Sequence, residues 1–360
     1  MKRRIGILTS GGDCPGLNAT IRGVAKACYE KFGSGNVEIV GILNGYSGLI
    51  NNECREMKES DFSGILTRGG TIFGTKRTPY KMMQVIGEDN VDKVKAMKDT
   101  YKKQKLDCVL TLGGNGTHKT SNLLSNEGLN VIGLPKTIDN DIYGTDVTFG
   151  FHTSVDIATE VIDRLHTTAT SHGRCLVVEI MGNKAGWLTL YSGIAGGADI
   201  IVIPEIPYDI DKLCRAVEKR NDEKKAFSII AVAEGAYSVE EAALKKKERA
   251  RQRAQAGITT ATSTIAKQIE EATGMEARVC VPGHMLRGGS PSAYDRVLAT
   301  KFGVRAAQLI GEEKYGYTVA MVDTVVTENK LSDIAGKTKF VPTDGQLVKT
   351  AKDIGISFGD

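Results

Sequence analysis

One local device recurs along this chain: a short apolar run that stops at glycines and polar residues and is followed by a helical stretch. "RRIGILTSGGD" opens it, with Ile5, Ile7 and Leu8 as buried strand positions. Pro15 then suits a first helical position, and "GLNATIRGVAKACYEKF" keeps a helical period through Ile21, Val24 and Cys28. "NVEIVGIL" at 36–43, "DCVLTLGGNGT" and "NVIGLPKTIDND" supply three more strands, the last two separated by a helical region at 118–126. Strands that alternate with helices imply a parallel sheet covered by helices on both faces.

The pattern restarts after residue 150. "FHTSVDIATEVIDRLHTTATS" (151–171) reads as an amphipathic helix, and "RCLVVEIM", "DIIVIPE" and "AFSIIAVAEGA" (226–236) as strands. A length of 360 residues fits two such lobes. The least compact segment is 237–260, charged and alanine-rich, which we read as an inserted helical excursion. Its basic stretch "LKKKERARQRAQ" (244–255) reads as a solvated helix.

Composition removes several classes. Hydrophobic residues at 41% and charged residues at 25% are enough for a proper core. A net charge of +4, evenly spread, gives no footprint for nucleic acid. No stretch reaches the ~18 apolar residues that a membrane span needs. The seven cysteines (14, 28, 54, 108, 175, 214, 280) form no CxxC pair, and no signal peptide is evident, so reduced thiols in the cytosol are expected. Cys108 and Cys175 sit in strand-like runs and are expected in the core. The five histidines lack the spacing of a zinc site.

The chemistry gathers at the strand ends. Open parallel sheets bind ligands beyond their carboxyl edge, and here those ends carry "SGGD", "GGNGT", "PKTIDND", "EIMGN" and "AEGA". Glycines in Gly11-Gly12-Asp13 and in Gly113 to Thr117 let backbone N–H groups approach anionic oxygens, helped by a following helix N-terminus. A tight turn would explain either loop alone; two together favour phosphate. "GGTIFGTK" (69–76) breaks the Walker order, and Lys119 stands where a dinucleotide fingerprint needs glycine.

In "PKTIDND" two carboxylates, Asp139 and Asp141, flank an amide. Such a pair often serves a turn. Beside phosphate loops, one carboxylate can instead take a hydroxyl proton while the other helps hold magnesium, and phosphoryl transfer needs both roles. Arg174, Arg278 and Arg287, with His284, are either surface charges or grips for a phosphoryl group.

Taken in order, "TSGGDCPGLNATIRG", "GGTIFGTKR", "GGNGT", "PKTIDND", "SHGR", "EIMG", "SGIAGGAD", "AEGA" and "PGHMLRGGSPSAYDR" resemble the phosphofructokinase family, from the first strand to about residue 310. The resemblance implies an α/β fold of two three-layer α/β/α lobes with largely parallel sheets, and an active site in the cleft at the strand C-termini. It assigns residues 1–150 plus about 287–336 to a phosphoryl-donor lobe. Residues from about 151 to 286, plus 337–360, form the sugar-phosphate lobe. The implied activity is cytoplasmic and glycolytic: phosphorylation of fructose 6-phosphate at its C1 hydroxyl, with Mg2+ as cofactor.

By motif, Asp139 resembles the general base, with Thr137 and Asp141 beside it. Gly12, Arg77, Thr78, Asn115, Gly116, Thr117 and Lys136 fall to the donor. Thr137, Asp139, Met181, Gly182, Asn183 and Glu234 fall to the sugar, and His284 and Arg287 to its phosphate. Asn115, Asp139 and Asp141 are the metal candidates. In this family Arg174 and Arg278 reach the phosphate from a neighbouring subunit, so a homodimer or homotetramer with shared active sites is implied.

Four positions depart from the family pattern. Asn115 replaces an acidic residue, and Asn183 follows "MG" where arginine is usual. His166 and Glu223 stand where regulated bacterial members carry basic residues, so control by ADP and phosphoenolpyruvate is expected to be absent. The family divides between ATP and pyrophosphate. Lys136 is typical of the pyrophosphate branch, whereas Gly116 leaves open the space that an aspartate closes against the α-phosphate of ATP. Steric exclusion is the stronger effect, so ATP is the expected donor and pyrophosphate the alternative. A non-catalytic nucleotide sensor is a further alternative. NAD and diacylglycerol kinases share a "GGDGT" loop but lack "PKTIDND".

Overall fold

The computed structural model describes residues 2–86, 91–225 and 227–360. The chain divides into two compact units, Met1–Thr153 with Arg287–Lys339, and Ser154–Leu286 with Phe340–Asp360.

The strands, numbered in chain order, are β1 (Arg3–Thr9), β2 (Val37–Ile42), β3 (Cys54–Met57), β4 (Cys108–Gly113), β5 (Val131–Pro135), β6 (Cys175–Ile180), β7 (Ile200–Val202), β8 (Ser228–Ala233), β9 (Ala277–Cys280), β10 (Tyr317–Val322) and β11 (Val325–Lys330). The first unit holds a seven-stranded sheet in the order β11-β10-β5-β4-β1-β2-β3. Its five inner strands run parallel, and Ile7 in β1 lies opposite both Gly41 and Leu110. β4 and β5 are buried at every position, as apolar strands covered on both faces must be. Side chains such as Leu8, Val40, Val109, Leu124 and Val131 form one core cluster there. Burying each is worth on the order of 2 kcal/mol.

Both edges of this sheet are antiparallel, which the strand–helix alternation does not announce. β10 and β11 meet in a hairpin whose central residues, Asp323 and Thr324, both have positive φ (50° and 69°). That backbone matches the twist of the flanking strands. Strand order reverses between β1 and β4: β2 lies beyond β1 on one side and β5 beyond β4 on the other. A reversal of this kind opens a crevice at the carboxyl edge, where ligands bind.

The second unit holds four parallel strands in the order β7-β8-β6-β9. Val177, Ile200, Leu213, Ile230 and Ile265 belong to its core. Cys108 and Cys175 are buried as expected, and all seven cysteines are free. Among the described residues no helix is long and apolar enough to cross a membrane.

Four local expectations need correction. Pro15 lies in a turn and the first helix, Leu17–Phe32, starts after Gly16, whose φ of 101° excludes a helical residue there. The helix expected at 118–126 is Asn115–Asn126, so three of the five residues of "GGNGT" are helix rather than loop. The strand expected at 226–236 is β8, Ser228–Ala233, and Ala226 lies outside the described residues. The insertion forms helices Val239–Ala242 and Lys246–Gln255, and the second is not merely solvated. Arg253 pairs with Glu241 at 2.5 Å and donates to the Ala236 carbonyl at 2.9 Å, while the Arg249 guanidinium lies 3.9 Å from the Tyr237 ring centre.

Candidate active site

The crevice of the first unit is walled by the loops after β1 and β4. After β1 the chain turns through Gly11, whose φ of 85° is open to glycine but strained for other residues. After β4 it passes Gly113, where a Cβ would overlap the Thr117 side chain. That close approach lets the helix Asn115–Asn126 begin hard against the strand end, with Gly114 extended at its N-cap. No side chain caps this N-terminus, so its first N–H groups face the crevice edge as donors for an anion. Gly116 is exposed, and a Cβ there would meet nothing within 4 Å.

β5 runs into the buried segment Lys136 to Asp141. Thr137, Asp139 and Asp141 are only 6%, 8% and 5% exposed, so two acidic groups are set in a nearly closed site. A left-handed Asn140, with φ of 52°, makes the turn between them. Its side chain accepts from the Thr148 N–H at 3.1 Å and donates to the Asp146 carbonyl at 3.3 Å. The Thr137 hydroxyl accepts the Asp139 N–H at 3.1 Å, which fixes the backbone under that carboxylate.

Two cations tie these loops together. Lys136 Nζ donates to the Gly12 carbonyl, and burial pulls its pKa below the ordinary lysine value. Arg287 donates to the Asp13 carbonyl at 3.2 Å and lies so near Gly12 that a Cβ there would come within 2.8 Å of its Nη1. Arg77 is exposed and Thr78 half-buried on a loop further along. The preceding segment is strapped down: Asn18 donates to the carbonyls of Arg68 and Gly69, and Thr75 donates to the Gly11 carbonyl at 2.7 Å. "GGTIFGTK" is therefore a brace for the β1 loop.

Asn115 donates from Nδ2 to Asp141 Oδ2 at 2.8 Å, and its own Oδ1 is buried with no protein partner. Burial raises the Asp141 carboxyl, and the Asn115 bond only partly offsets this. The orphaned oxygen of an amide bound to the Asp141 carboxylate, with Asp139 two residues away, offers oxygen donors of the kind that suit a hard divalent cation. Such an ion keeps waters and takes one or two protein oxygens together with substrate phosphates. No cluster of three or more His, Cys, Asp or Glu side chains poised for a metal exists among the described residues, so phosphate oxygens would have to complete the shell.

Two residues that sequence reasoning passed over support this arrangement. His118 is buried beneath the loop, with Nδ1 3.0 Å from the Gly114 carbonyl and Nε2 2.9 Å from the Thr318 hydroxyl. Burial pushes its pKa down to about 4, so the neutral ring donates from Nδ1. Lys339 donates to the carbonyls of Thr145 and Asp146 at 2.9 and 2.8 Å. Burial lowers its pKa to about 8 against the opposing pull of Asp146 and Asp141.

In the second unit, Glu234 follows β8 and accepts the N–H groups of Gly182 (3.2 Å) and Asn183 (2.6 Å), just beyond β6. Gly182 has φ of 154°, Asn183 is left-handed at 55°, and Met181 is half-buried. Met181, Gly182, Asn183 and Glu234 thus share one carboxyl edge. His284 is exposed on the turn Gly283–Arg287. Arg174 and Arg278 stand elsewhere. Arg174 precedes β6 and Arg278 is the second residue of β9, and both bind Glu276, Arg174 at 2.6 Å. They therefore lie toward the amino edge, separated from Gly182 by most of β6, a length of roughly 20 Å.

The Phosphofructokinase family profile matches residues 4–310 of the chain. A protein of Spirochaeta thermophila named ATP-dependent 6-phosphofructokinase is 55% identical over 99% of this chain and 98% of its own. One of Amycolatopsis mediterranei named pyrophosphate–fructose 6-phosphate 1-phosphotransferase is 44% identical over 95% of this chain and 97% of its own. Among solved structures, the phosphofructokinase of Pichia pastoris in the T-state superposes with a TM-score of 0.80 at 28% identity. That match covers 99% of this chain and 37% of the larger yeast chain.

Proposed function

The chain belongs to the phosphofructokinase family, and we propose that it acts as an ATP-dependent 6-phosphofructokinase. The enzyme transfers the γ-phosphoryl group of ATP to the C1 hydroxyl of fructose 6-phosphate. The observation that carries the reading is the β1/β4 strand reversal: two glycine loops and the buried Thr137 to Asp141 run share its carboxyl edge.

The donor phosphates are assigned to the N–H groups of the β1 loop and of Asn115, Gly116 and Thr117, with Lys136, Arg77 and Thr78. Asp139 takes the proton from the C1 hydroxyl, with Thr137 holding its backbone in place. Met181, Gly182, Asn183 and Glu234 receive the sugar, and His284 and Arg287 its phosphate. Arg174 and Arg278, remote in their own chain from Gly182, are given to the sugar phosphate of a second copy. This assignment makes the working form at least a homodimer.

The reaction uses a divalent cation, which we assign as Mg2+. Asn115 Oδ1, Asp139 and Asp141 would face it, directly or through water. When bound, it supplies positive charge that offsets the donor phosphates and the charge of the group in transfer. A coupled assay with fructose 6-phosphate, run separately with ATP and with pyrophosphate, tests the whole reading. Turnover with ATP at the higher kcat/KM is expected; turnover only with pyrophosphate would reverse the donor assignment, and none with either would remove the reading.

The open space at Gly116 favours ATP over pyrophosphate, since a Cβ built there would meet no atom within 4 Å. Two further features support unregulated kinetics. The His166 ring is engaged with the Gly196 carbonyl at 2.6 Å, and Glu223 is paired with Lys225 at 3.1 Å, so neither presents a cation to an effector phosphate.

A further inference from the structure

Under the inserted helix Lys246–Gln255 the second unit holds a half-open cavity of about 1030 Å³. Asn183 and Gly235 border it on one side, and the segment 340–344 on the other. This is at the upper end of the size typical of small-molecule sites, which are mostly apolar with a few fixed polar groups. The apolar wall here comes from Pro204, Ile258, Pro342 and Phe340, a residue 52% exposed.

The charged groups of the cavity are not equivalent. Arg253 is committed to Glu241 and to the Ala236 carbonyl. Glu205 is satisfied by the N–H groups of Gly186 at 3.0 Å and Val341 at 2.9 Å. Asp344 is exposed at the rim. Arg249 and Lys184 have no carboxylate within ion-pair distance among the described residues. The Arg249 guanidinium is stacked on Tyr237, which fixes its plane yet leaves its N–H fork available. A fork held in this way is pre-organised for two parallel hydrogen bonds to an oxyanion, and less entropy is lost when they form.

We propose that this cavity binds the phosphoryl group of a small molecule, with Arg249 as bidentate anchor, Lys184 as second cation and Phe340 against the organic part. The phosphoryl group belongs either to a second fructose 6-phosphate, apart from the one given to His284 and Arg287 and entering past Asn183 and Gly235, or to a separate ligand. Only the first assignment rests on the reaction proposed above.

Calorimetric titration of the full chain with fructose 6-phosphate, and separately with ADP, tests this in unmodified protein and in Arg249→Ala and Arg249→Lys. A roughly tenfold or larger loss of affinity for a second fructose 6-phosphate equivalent, with ADP unchanged, supports the site and assigns it to the sugar phosphate, since a charged hydrogen bond is worth about that much. Loss of a second ADP equivalent, with fructose 6-phosphate unchanged, supports the site and assigns it to a separate ligand. In either case lysine recovers only part of the binding, because it keeps the charge but lacks the fork. Lys184→Ala, on an exposed side chain, repeats the test without touching the stacked pair. If neither alanine variant alters either titration, the proposal fails. A chain that binds but does not turn over would instead overturn the reaction and leave the cavity standing.

Discussion

Asn115 and Asp141 are locked together: Nδ2 of the amide donates to the carboxylate at 2.8 Å and to the Asp141 carbonyl at 3.2 Å. Because the amino end is used up in this way, Oδ1 is the end that remains as a buried acceptor. Asparagine here neutralises nothing but satisfies Asp141, and it leaves one buried oxygen without a protein partner. Asn115→Asp would replace the donor by a second charge against Asp141. Without divalent ions the variant should lose about 1–3 kcal/mol of stability, the cost of a broken buried bond to a charged group. Added Mg2+ should restore its thermal midpoint and leave the parent almost unmoved. Equal responses to Mg2+ in the two proteins would count against a cation at this pair.

The base assignment is tested at Asp139. Asp139→Asn keeps size and burial but cannot accept a proton, so kcat should fall by ~10²–10⁴-fold, the usual contribution of a positioned base. The KM for fructose 6-phosphate should change much less. Turnover near that of the parent would remove Asp139 from the mechanism.

Much of the fold was legible because the inner strands are buried on both faces and so appear as uninterrupted apolar runs, as in β4 and β5. The edge strands were not. β3 ("CREM") and β11 ("VVTENK") are partly exposed and charged, and what makes them strands is the neighbour they pair with. The candidate site divides along the same line. Glycine loops and clustered carboxylates declare themselves locally, whereas the Asn115–Asp141 bond spans 26 residues and depends on β4 lying beside β5. His118 meets Thr318 across 200 residues, and no local pattern announces that contact. The run at 244–255 is largely exposed, as its charge implies, but the contacts of Arg249 with Tyr237 and of Arg253 with Glu241 are equally invisible in the local pattern.

His118 gives a prediction in pH. Its folded pKa is about 4 against an ordinary 6.5, so above 6.5 the ring is neutral in both states and the native bonds are fully in place. As pH falls from 6.5 toward 4 the unfolded chain takes up a proton that the folded chain refuses, and stability is lost. The difference corresponds to on the order of 3 kcal/mol across that window. His118→Gln should flatten this part of the curve. Urea midpoints at about pH 7 and about pH 5 should converge in the variant and differ in the parent. An unchanged pH dependence would place the proton uptake elsewhere.

Arg174 lies at the amino edge of the four-stranded sheet and Gly182 at the carboxyl edge, so a shared site between copies predicts complementation. Asp139→Asn and Arg174→Ala proteins, each nearly inactive, should regain activity when unfolded together and refolded as a mixture. With random assortment into dimers, about half the molecules are hybrids, and each carries one intact site, so up to roughly a quarter of parental activity should return. Full activity in a protein that sediments as a monomer would exclude the shared site.

Gly116 is the donor test. A Cβ at this position meets no atom within 4 Å and its φ is not in the left-handed region, so Gly116→Asp should fold without strain. The new carboxylate would stand on the first turn of the helix Asn115–Asn126, a favourable place for it when the site is empty. With ATP bound it would face the α-phosphate, which pyrophosphate lacks. A repulsion of about 3 kcal/mol lowers kcat/KM for ATP by ~10²-fold, since each 1.36 kcal/mol is tenfold. Pyrophosphate should lose little, and Lys136, fixed on the Gly12 carbonyl, remains to meet it. The deciding quantity is the ratio of kcat/KM for the two donors in parent and variant. A parent that already prefers pyrophosphate would mean that Lys136 outweighs the open space at Gly116, and a ratio that does not move would mean that the α-phosphate lies away from this residue.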